Sequence, residues 1–383
     1  MKRKPGYLLQ RIADTDYLLP YGQMIADHRR GISLNSTGVY VWELLENEMT
    51  REALQEKYLK HFLDVPEQKD MLIEDLNRFI NMLIGYRMIE DDALPRAHCD
   101  EPCTCLRIGG LVLKLHGPQA LTEANGLRDF CTDTTEGADM EISLIPGTSG
   151  LPANGTALIE NPGLTVREKD GEIVLRFPNF EQIIEVRLSK TGTDAFFYYK
   201  PPITEALKTQ FFHALRHVFL YLAAMHGIYA IHSASILYGG KAWLFSAPAG
   251  TGKTTHANLW KKLYEAPVFN GDLNLLAFDG NCPVVHGIPW CGTSGVFHKD
   301  TVPLGGIIFL KQAPTDSIAE LTPDKKALYT MQRFVSPMWT ANQLKSSALF
   351  AEALSRNLPI CRLYCTKEDA AAELIKGWVD THG

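Results

Sequence analysis

The sequence lacks the apolar segments that direct a chain into or across a membrane. No run of about 18 apolar residues occurs, which argues against a membrane-spanning helix. Met1 to Lys4 is basic, but Pro5 and Gly6 follow where the apolar core of a signal peptide would begin. We therefore predict a cytoplasmic protein without a membrane partner.

A basic excess is also missing. The 383 residues carry a formal net charge of -6, whereas nucleic-acid-binding surfaces are normally basic. We predict no nucleic-acid partner. The 45% hydrophobic and 21% charged residues are typical of a globular protein, and the length allows two or three domains.

The eight cysteines form no paired CxxC pattern. In a cytoplasmic chain they are thiols or metal ligands rather than a disulfide framework. His98, Cys99, Cys103 and Cys105 are densely spaced, but neighbouring ligands at this spacing crowd a tetrahedral zinc site. Proline and charge in the same stretch are typical of a linker, so we interpret residues 93–105 as a linker, with zinc binding as the alternative.

Residues 1–92 predict a small domain of their own. Alternation at residues 7–12 and 17–25 indicates a β-hairpin or ribbon. Three helices should follow, the first capped by Asn35 or Ser36, the second by Thr50, and the third over about residues 67–85. Three short helices with a β-ribbon make a winged-helix-like unit.

The segments "LNSTGVYVWELLE", "MTREALQEKYLKHF" and "EDLNRFINMLIGYRMIED" carry a family resemblance. Residues 1–92 resemble the PqqD-like peptide-binding domains, or RiPP recognition elements, of pathways that modify ribosomally made peptides. The resemblance implies that a leader peptide adds as a strand near residues 30–34 and lies against the helix near residues 75–82. A winged helix that binds DNA or a neighbouring domain is the alternative, and the lack of a basic recognition helix disfavours DNA.

Residues 106–226 predict a β-rich subdomain and a connecting helix. Apolar and polar residues alternate between turn residues in "LRIGGLVLKL", "DMEISLIPG" and "EIVLRFP". A helix over about 204–226 has an apolar face that includes Phe211, Leu215 and Phe219. No chemistry stands out, and we interpret this part as structural support.

The stretch "WLFSAPAGTGKTTHANLW" combines an apolar strand, a glycine-rich loop and a helix. Glycines let several backbone N–H groups converge on phosphate oxygens, a lysine reaches the outer phosphates, and a Thr hydroxyl can bind Mg²⁺. Ala247 stands where the usual pattern has its first glycine. The predicted nucleotide-binding residues are Ala249, Gly250, Thr251, Gly252, Lys253, Thr254 and Thr255.

Residues 227–383 resemble the α/β core of phosphate-loop kinases of the HPr kinase and phosphoenolpyruvate carboxykinase type. The segments that carry the resemblance are "YAIHSASILYGGKAWLFSAP", "GTGKT", "VFNGDLNLLAFDGNCPVVHGIPWCGTSG", "VPLGGIIFLKQA" and "NLPICRLYCT". HPr kinases transfer the nucleotide γ-phosphoryl group to a protein serine, and their lasso-peptide relatives transfer it to a peptide hydroxyl.

This resemblance implies roles for individual residues. Lys253 contacts the transferred phosphate, Thr254 and Asp272 bind Mg²⁺, and Asp272 is a candidate base. HPr kinases commonly have two adjacent aspartates there, whereas this chain has Gly271 before Asp272, so the identity of the base stays open. His232 either helps to place the acceptor or is an ordinary histidine within a strand.

The predicted substrate-side loop contains His286, Trp290, Cys291 and Gly292. Simple packing is the alternative role for Trp290. From the two resemblances we predict a leader-dependent kinase that uses ATP, or another nucleoside triphosphate, and Mg²⁺ to phosphorylate a Ser or Thr of a precursor peptide. A small-molecule kinase acting on free serine or a similar compound, and a non-catalytic nucleotide-binding peptide chaperone, are the alternatives. Oligomeric HPr kinase relatives make a homo-oligomer plausible.

Overall fold

The computed structural model describes residues 1–26, 31–63, 65–86, 88–90, 103–123, 126–133, 137–147, 149, 155–169 and 171–383. The chain divides into two compact units, one comprising residues 1–98 with 147–154 and the other residues 99–146 with 155–383. Within the described ranges, none of the helices is both long and apolar enough to cross a membrane.

The smaller unit contains short strands and helices. Its strands are β1 (Lys2–Arg3), β2 (Tyr7–Ile12), β3 (Thr15–Pro20), β4 (Ile32–Leu34) and β5 (Ile89–Glu90). Its helices are α1 (Gln23–Ala26), α2 (Ser36–Leu44), α3 (Arg51–Phe62) and α4 (Lys69–Gly85). Strands β2, β3 and β4 form an antiparallel sheet in that order, and β1 pairs with β5.

Side-chain caps explain where two of these helices begin. The Asn35 side chain accepts from Gly38 N at 2.8 Å, and Thr50 Oγ1 accepts from Ala53 N at 3.2 Å. Each cap satisfies a backbone donor that the first helical turn leaves without a partner. The predicted caps are therefore confirmed. The predicted second strand was too long, because β3 ends at Pro20 and a short helix follows.

The core of the smaller unit joins the helices to the ribbon. Its fully buried residues, all apolar or aromatic, include Leu18, Val41, Trp42, Leu45, Leu54, Tyr58, Leu76, Ile80, Leu83 and Met88. Leu76, Ile80 and Leu83 recur at helical spacing, so one face of α4 closes this core.

The larger unit begins with a nine-stranded sheet. Its strands are β6 (Cys103–Ile108), β7 (Leu111–His116), β8 (Cys131–Thr132), β9 (Met140–Pro146), β10 (Thr156–Glu160), β11 (Thr165–Lys169), β12 (Glu172–Arg176), β13 (Ile183–Ser189) and β14 (Asp194–Tyr199). The order is β10-β11-β12-β13-β14-β9-β7-β6-β8. Helix α5 (Glu205–Met225) packs on this sheet through Phe211, Leu215 and Phe219. The predicted β-rich region and its helix are confirmed.

The linker prediction was wrong at its end. Residues 103–105 belong to β6, because Cys103, Thr104 and Cys105 pair with β7. The earlier part of the predicted linker lies outside the described residues up to position 102. The four-part domain division remains a prediction, and its boundary at residue 226 lies inside the larger unit.

The second sheet of the larger unit contains the remaining strands. They are β15 (Tyr229–Tyr238), β16 (Lys241–Ser246), β17 (Leu273–Asp279), β18 (Cys282–His286), β19 (Thr301–Gln312), β20 (Ser317–Glu320) and β21 (Ile360–Cys365). The helices are α6 (Lys253–Tyr264), α7 (Pro323–Met331), α8 (Ala341–Asn357) and α9 (Asp369–His382). The chain is therefore a mixed α/β protein.

Strand β16 shows how the layers form. Trp243 and Phe245 pack into the cluster that contains α6 and α9, whereas Ala242 and Leu244 pack into the cluster that contains α8. Alternate residues of a strand point to opposite faces, so this strand is apolar on both sides.

Strand β15 brings the candidate site together. Ser233 pairs with Ser246 at the end of β16, and the neighbouring His232 pairs with Leu273 at the start of β17. The glycine-rich loop that follows β16 and the residues that precede β17 therefore meet at the middle of β15.

Candidate functional site

The loop between β16 and α6 is shaped to expose backbone donors. Gly250 and Gly252 have φ of +76° and +114°, and nothing lies within 4 Å of a Cβ built at either position. No side chain caps the start of α6. The first-turn N–H groups of α6 are therefore open to an anion, which the helix dipole also favours.

Ala247 does not disturb this loop. Among the described residues, the only non-glycine residues with positive φ are Ala13 and Glu265. The backbone at Ala247 is thus one that any residue can adopt, and its methyl group is buried in the core beside α6. A glycine is not required at this position.

Lys253 is held over the loop. Its side chain is buried, and its Nζ donates to the carbonyls of Ala247 and Pro248 at 3.1 and 3.4 Å. Burial lowers the pKa of Lys253, and the nearby Asp272 carboxylate opposes that effect. The Lys253 side chain is thus held at the carbonyl groups of the loop. The nearby Asp272 carboxylate favours the protonated, positively charged form of the lysine.

Asp272 and His232 form the second part of the site. His232 Nε2 lies 3.0 Å from Asp272 Oδ1. This hydrogen bond is the largest cause of the lowered pKa of Asp272, and the charges of Lys253 and Arg216 act in the same direction. The structure thus brings together the three predicted catalytic residues and keeps the carboxyl group ionised.

A buried polar network fixes the strands around this pair. Ser235 Oγ donates to Asn274 Oδ1 at 2.6 Å, and Asn274 Nδ2 donates to the Ser233 carbonyl at 2.7 Å. Asn270 Nδ2 also donates to Asn274 Oδ1. These buried side chains tie both ends of the segment that contains Asp272 to β15, and buried polar groups that are fully bonded specify position well.

Gly271 has no room for the carboxylate that the family resemblance would place there. A Cβ at this position would lie 1.9 Å from Ser294 Oγ and 2.5 Å from Ser294 Cβ. Ser294 is held in turn, because its hydroxyl donates to the Cys291 carbonyl at 2.7 Å. The packing of Ser294 therefore excludes a second aspartate at position 271 and leaves Asp272 as the single carboxylate.

We expect Gly271→Ala to destabilise the protein by about 1–3 kcal/mol, the usual cost of overpacking. The free energy of unfolding, measured by denaturant titration, checks this. Gly271→Ala combined with Ser294→Gly should recover part of the loss, because the clashing side chain is gone. Equal losses in the single and double variants would contradict the packing explanation.

The predicted substrate residues fall into two groups. Gly292, with φ of +61°, lies against Asp272, since a Cβ there would be 2.9 Å from Asp272 Cγ. Cys291 is also close, because the Asp272 charge contributes to its raised pKa after burial. Both residues therefore border the carboxylate.

Trp290 and His286 have other surroundings. Trp290 is 2% exposed, donates from Nε1 to the Phe212 carbonyl at 2.9 Å, and packs beside Phe212 and Phe219. Its burial supports the packing alternative. His286 Nδ1 lies 2.7 Å from Thr301 Oγ1, and burial lowers its pKa. A substrate role for either residue remains a prediction.

Two cationic residues at the site carry no sequence signal. Arg216 on α5 acts electrostatically on Asp272, and Arg333 acts on Lys253. The Arg333 carbonyl also accepts from the His232 N–H at 2.9 Å. Both arginines are distant in sequence from the glycine-rich loop, so only the fold reveals their proximity.

We expect His232→Ala to raise the pKa of Asp272, because it removes the hydrogen bond that lowers this pKa most. A lowered carboxyl pKa stabilises the fold above the unfolded value, and that contribution disappears as the pH falls through the folded value. His232→Ala should therefore be less stable than wild type near neutral pH, and its stability should fall less steeply as the pH drops below the unfolded pKa of the carboxyl group. Denaturant unfolding across a pH series measures this, with His226→Ala at the exposed end of α5 as control. Unchanged pH profiles would contradict it.

Within the described part of the chain, no group of three or more His, Cys, Asp or Glu side chains could hold a metal ion. Cys103 and Cys105 are free thiols on β6, whereas His98 and Cys99 lie outside the described residues. Thr254 and Asp272 are oxygen donors of the kind that Mg²⁺ prefers, and both retain exposed surface.

Comparison with known proteins adds information mainly on the smaller unit. Residues 22–89 match the protein family described as Coenzyme PQQ synthesis protein D (PqqD). This confirms the PqqD-like part of the sequence prediction. No curated protein matches the chain.

Among solved structures, one similar chain is the Hpr(Ser) kinase/phosphatase from Coxiella burnetii. It is 8% identical over 40% of this chain and 99% of its own, with a TM-score of 0.24. This similarity is weak, and a TM-score at that level defines neither a common fold nor an activity.

Proposed function

We propose that this protein is a leader-dependent peptide kinase that transfers the γ-phosphoryl group of a nucleoside triphosphate to a Ser or Thr hydroxyl. The observation that carries the proposal is the meeting of an open phosphate-type loop, Lys253 and the His232–Asp272 pair at the middle of β15. Phosphoryl transfer depends mainly on such positioning and on neutralising charge.

The donor side is formed by the loop and the start of α6. In this proposal, N–H groups of the loop and of the first turn of α6, which no side chain caps, bind the phosphates. Lys253 exchanges its two carbonyl contacts for phosphate oxygens, which are stronger partners for an ammonium group. Together with the nearby Arg333, it makes this side of the site cationic, which suits an anionic nucleotide.

Magnesium fits the same place. The Thr254 hydroxyl and the Asp272 carboxylate are hard oxygen ligands, and Mg²⁺ commonly takes one or two protein oxygens together with substrate phosphates and water. When bound, the ion would neutralise charge on the transferred phosphoryl group.

Asp272 serves as the base in this proposal. The acceptor oxygen forms a bond to the γ-phosphorus, the bond from that phosphorus to the β–γ bridging oxygen breaks, and the nucleoside diphosphate leaves with the electron pair. The acceptor proton passes to the Asp272 carboxylate, which His232 holds in place at 3.0 Å. One carboxylate can serve both as the base and as a Mg²⁺ ligand, because the rest of the catalysis is positioning and neutralisation of charge.

The smaller unit provides the leader site. Strand β4 is an edge strand, since the described sheet ends there in the order β2-β3-β4. An extended peptide could extend this sheet by main-chain hydrogen bonds. The exposed side of α4 includes Glu74, Asp75 and Arg78, which form ion pairs with one another and are charged groups that a peptide could contact. Capture of the leader would raise the local concentration of the attached core peptide at the kinase site.

The test uses the full chain with a γ-³²P-labelled nucleoside triphosphate, Mg²⁺ and precursor peptides encoded near its gene. We expect label on one Ser or Thr of a leader-bearing peptide, identified by fragment-ion mass spectrometry. Free serine is tested in parallel. Label on free serine alone would support a small-molecule kinase, and nucleotide and leader binding without transfer would support a chaperone. Either outcome would overturn the proposal.

A further inference from the structure

Arg216 is a half-buried cation whose hydrogen-bonding capacity is not fully used. Its Nε atom is inaccessible to solvent and has no hydrogen-bond partner among the described residues. Burial lowers the pKa of Arg216, and Asp272 is the carboxylate that opposes this effect. A buried N–H donor without a partner is costly unless an acceptor such as an anion arrives to accept from it.

The nearest ionisable groups on the same helix do not neutralise Arg216. His213 and His217 flank it, and burial lowers the pKa of both, that of His217 to about 4. The Arg216 charge contributes to both shifts, so these imidazoles are neutral near pH 7 and supply no counter-charge. Asp272 is already hydrogen-bonded to His232.

Helix α5 is fixed to the loop that borders Asp272. Trp290 Nε1 donates to the Phe212 carbonyl at 2.9 Å, and its ring packs beside Phe212 and Phe219 on this helix. Gly292, two residues after Trp290, lies against the Asp272 carboxyl group. The buried tryptophan therefore ties α5, and with it Arg216, to the loop that borders Asp272.

We propose that Arg216 forms an acceptor-side phosphate subsite, in which its guanidinium binds the phosphoryl group during transfer and on the phosphopeptide product. This inference rests on the proposed kinase function. Lys253 and the glycine-rich loop bind the phosphates of the nucleotide. Arg216 binds the oxygens of the phosphoryl group as it moves from the nucleotide to the acceptor. The planar guanidinium can make two parallel bonds to phosphate oxygens, which the ammonium group of lysine cannot reproduce.

The test compares Arg216→Gln and Arg216→Lys with Lys208→Gln, a control in the first part of the same helix. Isothermal titration measures binding of ADP with Mg²⁺, and of ADP with Mg²⁺ and aluminium fluoride, which takes the place of the moving phosphoryl group. We expect ADP affinity to change by less than about threefold in Arg216→Gln. In wild type, aluminium fluoride should increase the affinity for ADP. In Arg216→Gln this increase should be smaller by about 10²-fold, a typical loss for one charge-stabilising donor. Arg216→Lys should be intermediate, and the control unchanged.

If aluminium fluoride increased the ADP affinity of Arg216→Gln as much as that of wild type, the proposed subsite would be overturned. If Arg216→Gln does not fold, Arg216→Lys takes its place in the test. A folded Arg216→Lys whose ADP affinity gains as much from aluminium fluoride as that of wild type would also overturn the subsite. Failure of the kinase proposal gives a different pattern. If wild-type protein binds ADP with aluminium fluoride but labels no peptide, the subsite proposal stands and the peptide acceptor is wrong. If wild-type protein binds no ADP, both proposals are wrong.

Discussion

Replacing Asp272 by asparagine should lower kcat for peptide phosphorylation by about 10³-fold, within the range that general-base groups contribute. The amide keeps the size of the side chain and can still bond to His232, but it cannot take the acceptor proton and carries no charge to bind Mg²⁺. The His232 hydrogen bond is the largest cause that lowers the pKa of this carboxyl group below its usual value. Steady-state kinetics with a leader-bearing peptide measure the loss.

Asp279→Asn is the matched control, since Asp279 is an exposed aspartate at the opposite end of β17. It should keep wild-type kcat. Comparable activity in Asp272→Asn and wild type would show that another group accepts the proton. With Gly271 closed to any side chain by Ser294, that result would remove the chemical basis of the proposed site.

Lys253→Met should lower kcat/KM for the nucleotide by about 10³-fold or more, because it removes the ammonium group that we propose to bind the transferred phosphate. The methionine side chain retains much of the apolar packing of the lysine stem. The variant should therefore unfold near the wild-type denaturant concentration. Thermal or denaturant unfolding, run beside the kinetic assay, separates lost chemistry from lost structure.

Lys261→Met tests whether any lysine of α6 would give this result. Lys261 is exposed in the last turn of the same helix, far along it from the loop. We expect wild-type kinetics there. If Lys253→Met retained full activity, the glycine-rich loop would not act as a phosphate site, and the donor side of the account would be wrong.

Local patterns predicted the parts of the fold that local physics determines. Asn35 and Thr50 cap helices because their side chains satisfy nearby N–H groups, and this signal lies within three residues. Likewise, Gly250 and Gly252 predicted a loop in which side chains do not block the backbone N–H groups, and the space around both positions is open. The end of the linker was mistaken, because pairing of β6 with β7 outweighed the loop-like composition near Cys103.

The site was only partly predictable, because some of its contacts join distant segments. Family resemblance suggested Lys253, Asp272 and His232, which the structure brings together, but nothing near Arg216 or Arg333 in the sequence indicates a site. The packing of Gly271 against Ser294 was also invisible, since it depends on the course of a loop 23 positions later in the chain. Such information appears only when the fold is known.

Leader dependence is the central claim, and one rate comparison tests it most directly. The measurement is kcat/KM for phosphorylation of the same core peptide with its leader attached and with the leader removed. Tethering predicts a ratio of about 10² or more in favour of the attached leader. Excess free leader should compete with the attached substrate for the smaller unit. Equal values with and without the leader would contradict the account, even if the protein proved to be a kinase.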